Sequence, residues 1–395
     1  MTGRNFDIIP DMKKFDNPVL VTRPYLPPLE EFKQGVEEVW ANKWLTNNGP
    51  MLQRFQKELS AYLGVPEENM ALFNNGTLAL ELGYYAMGLA GGDVITTPFT
   101  FVATSHALKR IGATPVFADI DPETLCLDPA KVEKLITPRT RAIVPVHVYG
   151  NVCDVEGFQR LSEKYGIPVI YDAAHVFGAT IGNSHKEHKD HKEKSIATAG
   201  AMSMFSFHPT KLFHSCEGGL LVFKDAEMQK KLFELRNFSI HSETECVDVG
   251  SNAKMNELQA LMGLCCLKKI DELLDYRQKI YEAYAEILVG VGSGSGTKDD
   301  RVKLLPYSAN KAYVPVLFKD FETRERVYLE LKEKCNVFSR RYFYPLLTDF
   351  APYIYAKGTC PIAEDIASRV LTLPTYYGLP LDDIRAIARN VLEIV

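Results

Sequence analysis

Between about residues 70 and 225, short uninterrupted apolar runs alternate with stretches of helical period. Ala71–Phe73 reads as the end of a strand, and Leu78–Met87 as the helix after it. Val94–Thr97, Thr114–Ala118, Ala142–His147, Ile167–Tyr171, Ala201–Phe207 and Gly219–Phe223 read as further strands, with Val152–Tyr165 helical. Runs that are apolar throughout suit strands buried on both faces, and helical crossovers make such strands parallel. The pattern predicts an α/β fold with a mostly parallel central sheet flanked by helices, in a large domain over residues 1–256. After Asn256 the rhythm changes. Glu257–Leu288 reads as one long helix or two, and the Gly/Ser-rich stretch Val289–Asp300 as a loop. A strand at Ala312–Phe318 and a helix at Thr323–Lys334 complete a smaller α+β domain, so that 257–395 holds a linking helix and that domain.

Composition adds little to this and excludes some classes. At 395 residues, 46% hydrophobic and 24% charged, the chain can bury a sizeable core without metal or disulfide staples. The formal net charge of −5 argues against binding nucleic acid by overall charge. No apolar run is long enough to span a membrane, and the N-terminus lacks an apolar signal core. Eight cysteines without a CxxC pair suit a reducing, cytoplasmic setting. The run SHKEHKDHKEK from Ser184 to Lys194 reads as a solvated insertion rather than a metal site, because no cysteine or convergent carboxylate accompanies its histidines.

Ligands of α/β sheets bind beyond the carboxyl ends of the strands, and four such places carry polar residues. Phe73–Leu78 (FNNGTL) is a strand end, a glycine turn and a helix start. Its backbone N–H groups and the Thr77 hydroxyl form a cradle for phosphate, or Asn75 or Thr77 caps the helix. It is neither a Walker loop nor GxGxxG. Asp172 follows the run IPVIY, where burial alone would neutralise it and a cationic ring nitrogen would keep it charged, or else it serves as a cap. In FSFHPTK, Pro209 ends a strand, Ser206 lies on it, and Lys211 projects from the turn as a candidate imine-forming amine or, taken alone, an isolated surface lysine. Phe101 follows the strand VITT and either stacks on a planar ligand or belongs to the core. Together the four describe a flat cationic heteroaromatic that carries a phosphate and an aldehyde, the constellation of pyridoxal 5'-phosphate.

Motifs along most of the chain then resemble those of the DegT/DnrJ/EryC1/StrS family of pyridoxal-phosphate sugar aminotransferases, which have the type I fold. They are LTNNGP (45–50), NNGTLAL (74–80), PFTFVATSHAL (98–108), VPVHVYGNVCD (144–154), YDAAHVFGA (171–179), FSFHPTK (205–211), CEGG (216–219) and SNAKMNELQALMGL (251–264). The resemblance implies that Lys211 is the imine lysine and proton shuttle and that Asp172 pairs with the pyridine nitrogen. It implies that His175, where many relatives have Gln, faces the ring hydroxyl. Phe101 would lie against the ring, while Gly76, Thr77, Leu78 and Ser206 hold the phosphate. Asn252 matches an asparagine contributed across a homodimer interface; by itself it could cap the helix that follows. The substrates implied are glutamate and a nucleotide-linked keto sugar. The motifs KWLTNNGP, LFNNGTLAL and RRYFYP are similar to those of members that aminate C4 of dTDP-4-keto-6-deoxyglucose to give dTDP-4-amino-4,6-dideoxyglucose. The alternatives are amination at C3 and a non-catalytic cofactor-binding regulator. No metal is implied.

Overall fold

The computed structural model describes residues 12–181, 194–290, 301–305 and 309–395. Most of the 184–194 insertion and of the 289–300 stretch lies outside the described residues. The main sheet consists of a four-stranded and a three-stranded block. In order across the sheet, the strands are Met70–Phe73, Gly219–Phe223, Met202–Ser206, Ile170–Asp172, Thr140–Val144, Asp93–Thr96 and Thr114–Phe117. Bridges Ile143–Val169 and Val146–Asp172 join the blocks. Gly219–Phe223 runs antiparallel to both neighbours, and the other pairings are parallel. Met70–Phe73 and Gly219–Phe223 are buried along their whole length, as uninterrupted apolar runs require.

Several boundaries move for local reasons. The strand expected to reach His147 ends at Val144, because Pro145 has no N–H for the ladder. Val146 still bridges Asp172, and the His147 N–H donates to the Asp172 carbonyl at 3.0 Å. The IPVIY strand runs from Ile170 to Asp172, so the carboxylate belongs to the last strand residue. Glu257–Leu288 is two helices, Glu257–Leu267 and Ile270–Ala285, followed by a π turn. Among the helices not named from the sequence are Leu29–Asn42 and Pro50–Leu63. The second carries its own signals, with proline in its first turn and Gly64 closing it at φ 64°.

A three-stranded antiparallel sheet, Val302–Leu304, Val314–Phe318 and Val370–Leu373, backs a second core. Phe15 and Val19 pack into that core, and Val19–Leu20 pairs with Val337–Phe338. Phe15 and Val19 thus lie with residues from the C-terminal part of the chain. Two motifs far apart in sequence meet at Glu257. Its buried carboxylate accepts from the N–H groups of Met51 (2.7 Å) and Leu52 (3.0 Å), filling the open start of the Pro50–Leu63 helix. Two residues on, Gln259 donates to the Asn74 carbonyl at 3.1 Å, which ties this corner to the glycine turn.

His147 is wholly buried, stacked on Tyr171, with Nδ1 accepting from the Cys153 N–H at 3.0 Å. Burial pushes its imidazole down to about 3, so the folded chain keeps it neutral while the unfolded chain protonates it near its ordinary value. The folded state then binds fewer protons, and stability is lost as pH falls from about 6.5 toward about 3, by about 1.4 kcal/mol per unit. His147→Asn keeps an acceptor for Cys153. In urea unfolding between about pH 6.5 and 5, this variant is expected to show a stability slope flatter by about one proton. An unchanged slope would mean that His147 titrates alike in both states.

Candidate active site

The carboxyl ends of Met70–Phe73, Ile170–Asp172 and Met202–Ser206 bring the glycine turn, Asp172 and Ser206 to one edge of the sheet. At the turn, Asn75 caps the helix Gly76–Ala86: its Oδ1 accepts from the Leu78 N–H at 2.8 Å, and its carbonyl accepts from Ala79. The capping alternative therefore holds for Asn75 and occupies the Leu78 N–H that was expected to face phosphate. The N–H groups of Gly76 and Thr77, and the Thr77 hydroxyl, have no partner among the described residues. Packing around the turn is close. A Cβ on Gly76 would lie 3.1 Å from the Ser206 Cβ and 3.3 Å from its Oγ. On the other side, a Cβ on Gly219 would lie 2.5 Å from the Asn75 carbonyl oxygen. Ser206 thus stands directly beneath a helix start with unpaired donors, which is a place for an anion.

Asp172 is buried, and its two oxygens are occupied from different elements. Oδ2 accepts from Thr104 Oγ1 at 2.7 Å and Oδ1 from the Ala174 N–H at 3.1 Å. Thr104 is in turn 3.0 Å from Thr100 Oγ1. Burial holds the carboxyl above its ordinary range, against the pull of these two hydrogen bonds and the Lys211 charge. A buried carboxylate in this state gains from any further cation placed against it.

Lys211 follows Pro209 in the loop after Met202–Ser206, and its N–H donates to the His208 carbonyl at 2.9 Å. It lines one cavity with Ala174, His175, Ser206, Asn310 and Tyr313. His175 is buried there, its Nδ1 accepting from the Tyr149 N–H at 3.1 Å. Burial first, then the charges of Lys211 and Arg340, keep its imidazole well below its ordinary value. Phe101 immediately precedes the helix Val102–Arg110 and is 48% exposed, so it is not a core residue.

Asn252 is exposed and pairs backbone to backbone with Asn237. It does not cap the following helix. Asn256 does, in a capping box with Gln259. Asn252 nevertheless sits beside the glycine turn of its own chain: the Asn74 side chain reaches its carbonyl at 3.5 Å, and the Asn74 N–H donates to Ala253 at 2.9 Å.

Sequence reasoning missed Thr104, Tyr149, Asn310 and Tyr313. Asn310 donates to the carbonyls of His175 (2.9 Å) and Phe177 (3.0 Å), and Tyr313 has its ring 4.7 Å from that of His175. Thr104 and Tyr149 lie inside motifs quoted above, at 98–108 and 144–154, whereas Asn310 and Tyr313 lie in none. Among the described residues there is no cluster of three or more metal-ligating side chains, and no helix is long and apolar enough to cross a membrane. All eight cysteines are free.

The chain belongs to the DegT/DnrJ/EryC1/StrS aminotransferase family, whose pattern it matches over residues 29–392. A relative from Shigella dysenteriae, dTDP-4-amino-4,6-dideoxy-D-glucose transaminase, is 42% identical over 383 residues, covering 96% of this chain and 100% of its own. Among solved structures, DesI in the presence of its TDP-sugar product superposes with a TM-score of 0.85 at 33% identity, over 96% of this chain and 93% of that one. NtdA from Bacillus subtilis, described with bound cofactor PMP, has a TM-score of 0.80 at 26% identity, over 100% of this chain and 90% of that one. The α/β architecture read from the sequence is the fold of these aminotransferases.

Proposed function

We propose that this chain is a pyridoxal-phosphate-dependent transaminase. It would move an amino group from glutamate to C4 of dTDP-4-keto-6-deoxyglucose, giving dTDP-4-amino-4,6-dideoxyglucose. The observation that carries the chemistry is the meeting of a buried carboxylate, a primary amine and a helix start with unpaired donors at one sheet edge. The donor set fits the cofactor part by part. Gly76, Thr77 and Ser206 suit the phosphate, Asp172 a cationic ring nitrogen, Phe101 and His175 the ring, and Lys211 the aldehyde. Bound there, the cofactor supplies an electron sink for the carbon that loses its proton.

The chain's own groups do the rest. Asp172, fixed by Thr104 and Ala174, holds the proton on the ring nitrogen. The Lys211 amine would be the base that removes the substrate's proton and the acid that returns it. Tyr149, Tyr313 and Phe343 pack around His175 and keep water from that side. The sugar and its carrier rest on the Shigella relative's name and on the TDP-sugar product of DesI. Incubation with dTDP-, UDP- and GDP-linked keto sugars and glutamate, with NMR of the product, tests this reading. Amination at C3, or of another carrier alone, removes the substrate assignment. The absence of any visible band that responds to glutamate removes the enzyme. A reducing, cytoplasmic setting is part of this reading, and free cysteines are compatible with it.

The reading includes a homodimer with shared sites. Phe238, Ile240, Val247 and the 82%-exposed Val249 surround the segment that leads to Asn252, an apolar surface suited to a second copy. If Asn252 reaches the other subunit's phosphate site, Asn252→Asp inactivates by like-charge repulsion. Mixing it with inactive Lys211→Ala then yields heterodimers with one site carrying both lesions and one carrying neither. Recovered activity after subunit exchange is expected. Verified heterodimers without activity would return Asn252 to a local role.

A further inference from the structure

The environment of His175 fixes more than its position. Tyr149 lies in the turn Val148–Gly150 at φ 56° and ψ 7°, a left-handed conformation that a residue with a large side chain adopts only at a cost. Its ring is fully buried, stacked on Phe343 at 5.8 Å and set edge-on to Phe99 at 5.8 Å. This packing holds the backbone in place and aims the Tyr149 N–H at His175 Nδ1. A ring nitrogen that accepts a hydrogen bond carries no proton, so the single proton of the neutral imidazole is on Nε2. Protonating Nδ1 would set two donors against each other and leave the buried Tyr149 N–H without a partner.

The groups around the ring act in the same sense. Lys211, Arg340 and His147 are the charged or ionisable bases that act on it. Tyr313 and Tyr342 face it with their rings, and Asn310 binds only its backbone carbonyl. The Asp172 carboxylate is engaged by Thr104 and Ala174. Nε2 has no hydrogen-bond partner among the described residues, and His175 lines the cavity that it shares with Lys211 and Ser206.

We propose that His175 is a locked neutral Nε2–H donor, held in that tautomer by the Tyr149 backbone, so that it does for the bound ring oxygen what an amide side chain would do. Tyr149 is then a positioning residue that acts through its main chain. The ligand half of this inference rests on the cofactor reading above; the tautomer half does not.

Two measurements on the full chain test it. The first is the ring-nitrogen NMR spectrum of 15N-histidine-labelled protein, with His175→Gln assigning the His175 signals. An unprotonated Nδ1 and a protonated Nε2 are expected, unchanged from about pH 8 to well below the ordinary histidine value of about 6.5. A proton on Nδ1, or titration near the ordinary value, overturns the proposal even if other variants misfold. The second is the absorbance of the pyridoxal-phosphate-loaded protein against pH. His175→Gln, which keeps an N–H donor, is expected to hold the wild-type midpoint. His175→Leu, which has none, is expected to shift it upward by about one pH unit. A Gln variant that moves as far as Leu overturns the donor role. A wild type that gains no visible band on loading defeats the cofactor reading instead and leaves the tautomer to the NMR result.

Discussion

Lys211→Ala is expected to abolish transamination, with a loss of at least about 10⁴-fold in turnover, equivalent to about 5 kcal/mol of barrier. The fold is expected to survive. Lys211 is only half-buried, and the main-chain bond it makes, from its N–H to the His208 carbonyl, does not depend on the side chain. The loss is chemical, because no other primary amine lines the cavity among the described residues. The unpaired donors of Gly76 and Thr77, proposed for the phosphate, lie on a different element, so the variant is expected to keep affinity for a pyridoxamine-phosphate–sugar adduct. Removing the amine also removes a charge that lowers both neighbours, so the pKa values of Asp172 and His175 are expected to rise. Rapid-mixing absorbance with the keto sugar, together with adduct binding by calorimetry, checks both halves. Near wild-type turnover would take Lys211 out of the mechanism.

The parts of this site legible in the sequence are those that lie at strand ends. An apolar run followed by a polar residue marks where a buried strand opens, and Asp172, Ser206 and the glycine turn all announce themselves in this way. Packing of the glycine turn against Ser206 was not legible, because it depends on sheet order. The antiparallel strand Gly219–Phe223 lies between the two and brings Gly219 against Asn75. Asn310 and Tyr313 meet His175 across about 135 residues of sequence, where no local pattern exists, and although Thr104 lies in a quoted motif, its contact with Asp172 about 70 residues on has no local signature. The alternative of a cap at Asn252 fails for a local reason: of Asn252 and Asn256, only Asn256 has a glutamine three residues on to complete the box. Glu257 shows the same limit. Its place in the motif was read, but not its role at the start of a helix some 200 residues earlier.

Asp172→Asn separates the chemical demand on this residue from the structural one. The amide fits the existing hydrogen bonds. Its oxygen can accept from the Ala174 N–H, and its NH2 can donate to Thr104 Oγ1, whose hydrogen then turns toward Thr100 Oγ1. Without cofactor, the wild-type carboxylate is buried at a cost, which is why its pKa lies above the ordinary value. A carboxyl whose folded pKa is raised costs stability above that pKa and ceases to do so as pH falls through it. The cofactor-free variant is therefore expected to be at least as stable as wild type at pH near 7, and the difference is expected to shrink on acidification. Turnover behaves in the opposite way. A neutral amide cannot hold the proton on the ring nitrogen, so turnover is expected to fall by about 10³-fold or more, equivalent to about 4 kcal/mol. Urea midpoints across pH and single-turnover rates give the two numbers on the same preparation. Turnover within about tenfold of wild type, equivalent to about 1.4 kcal/mol, would mean that Asp172 does not face the ring nitrogen. A loss of turnover that tracks a loss of stability would make Asp172 a structural residue and leave the ring without its partner.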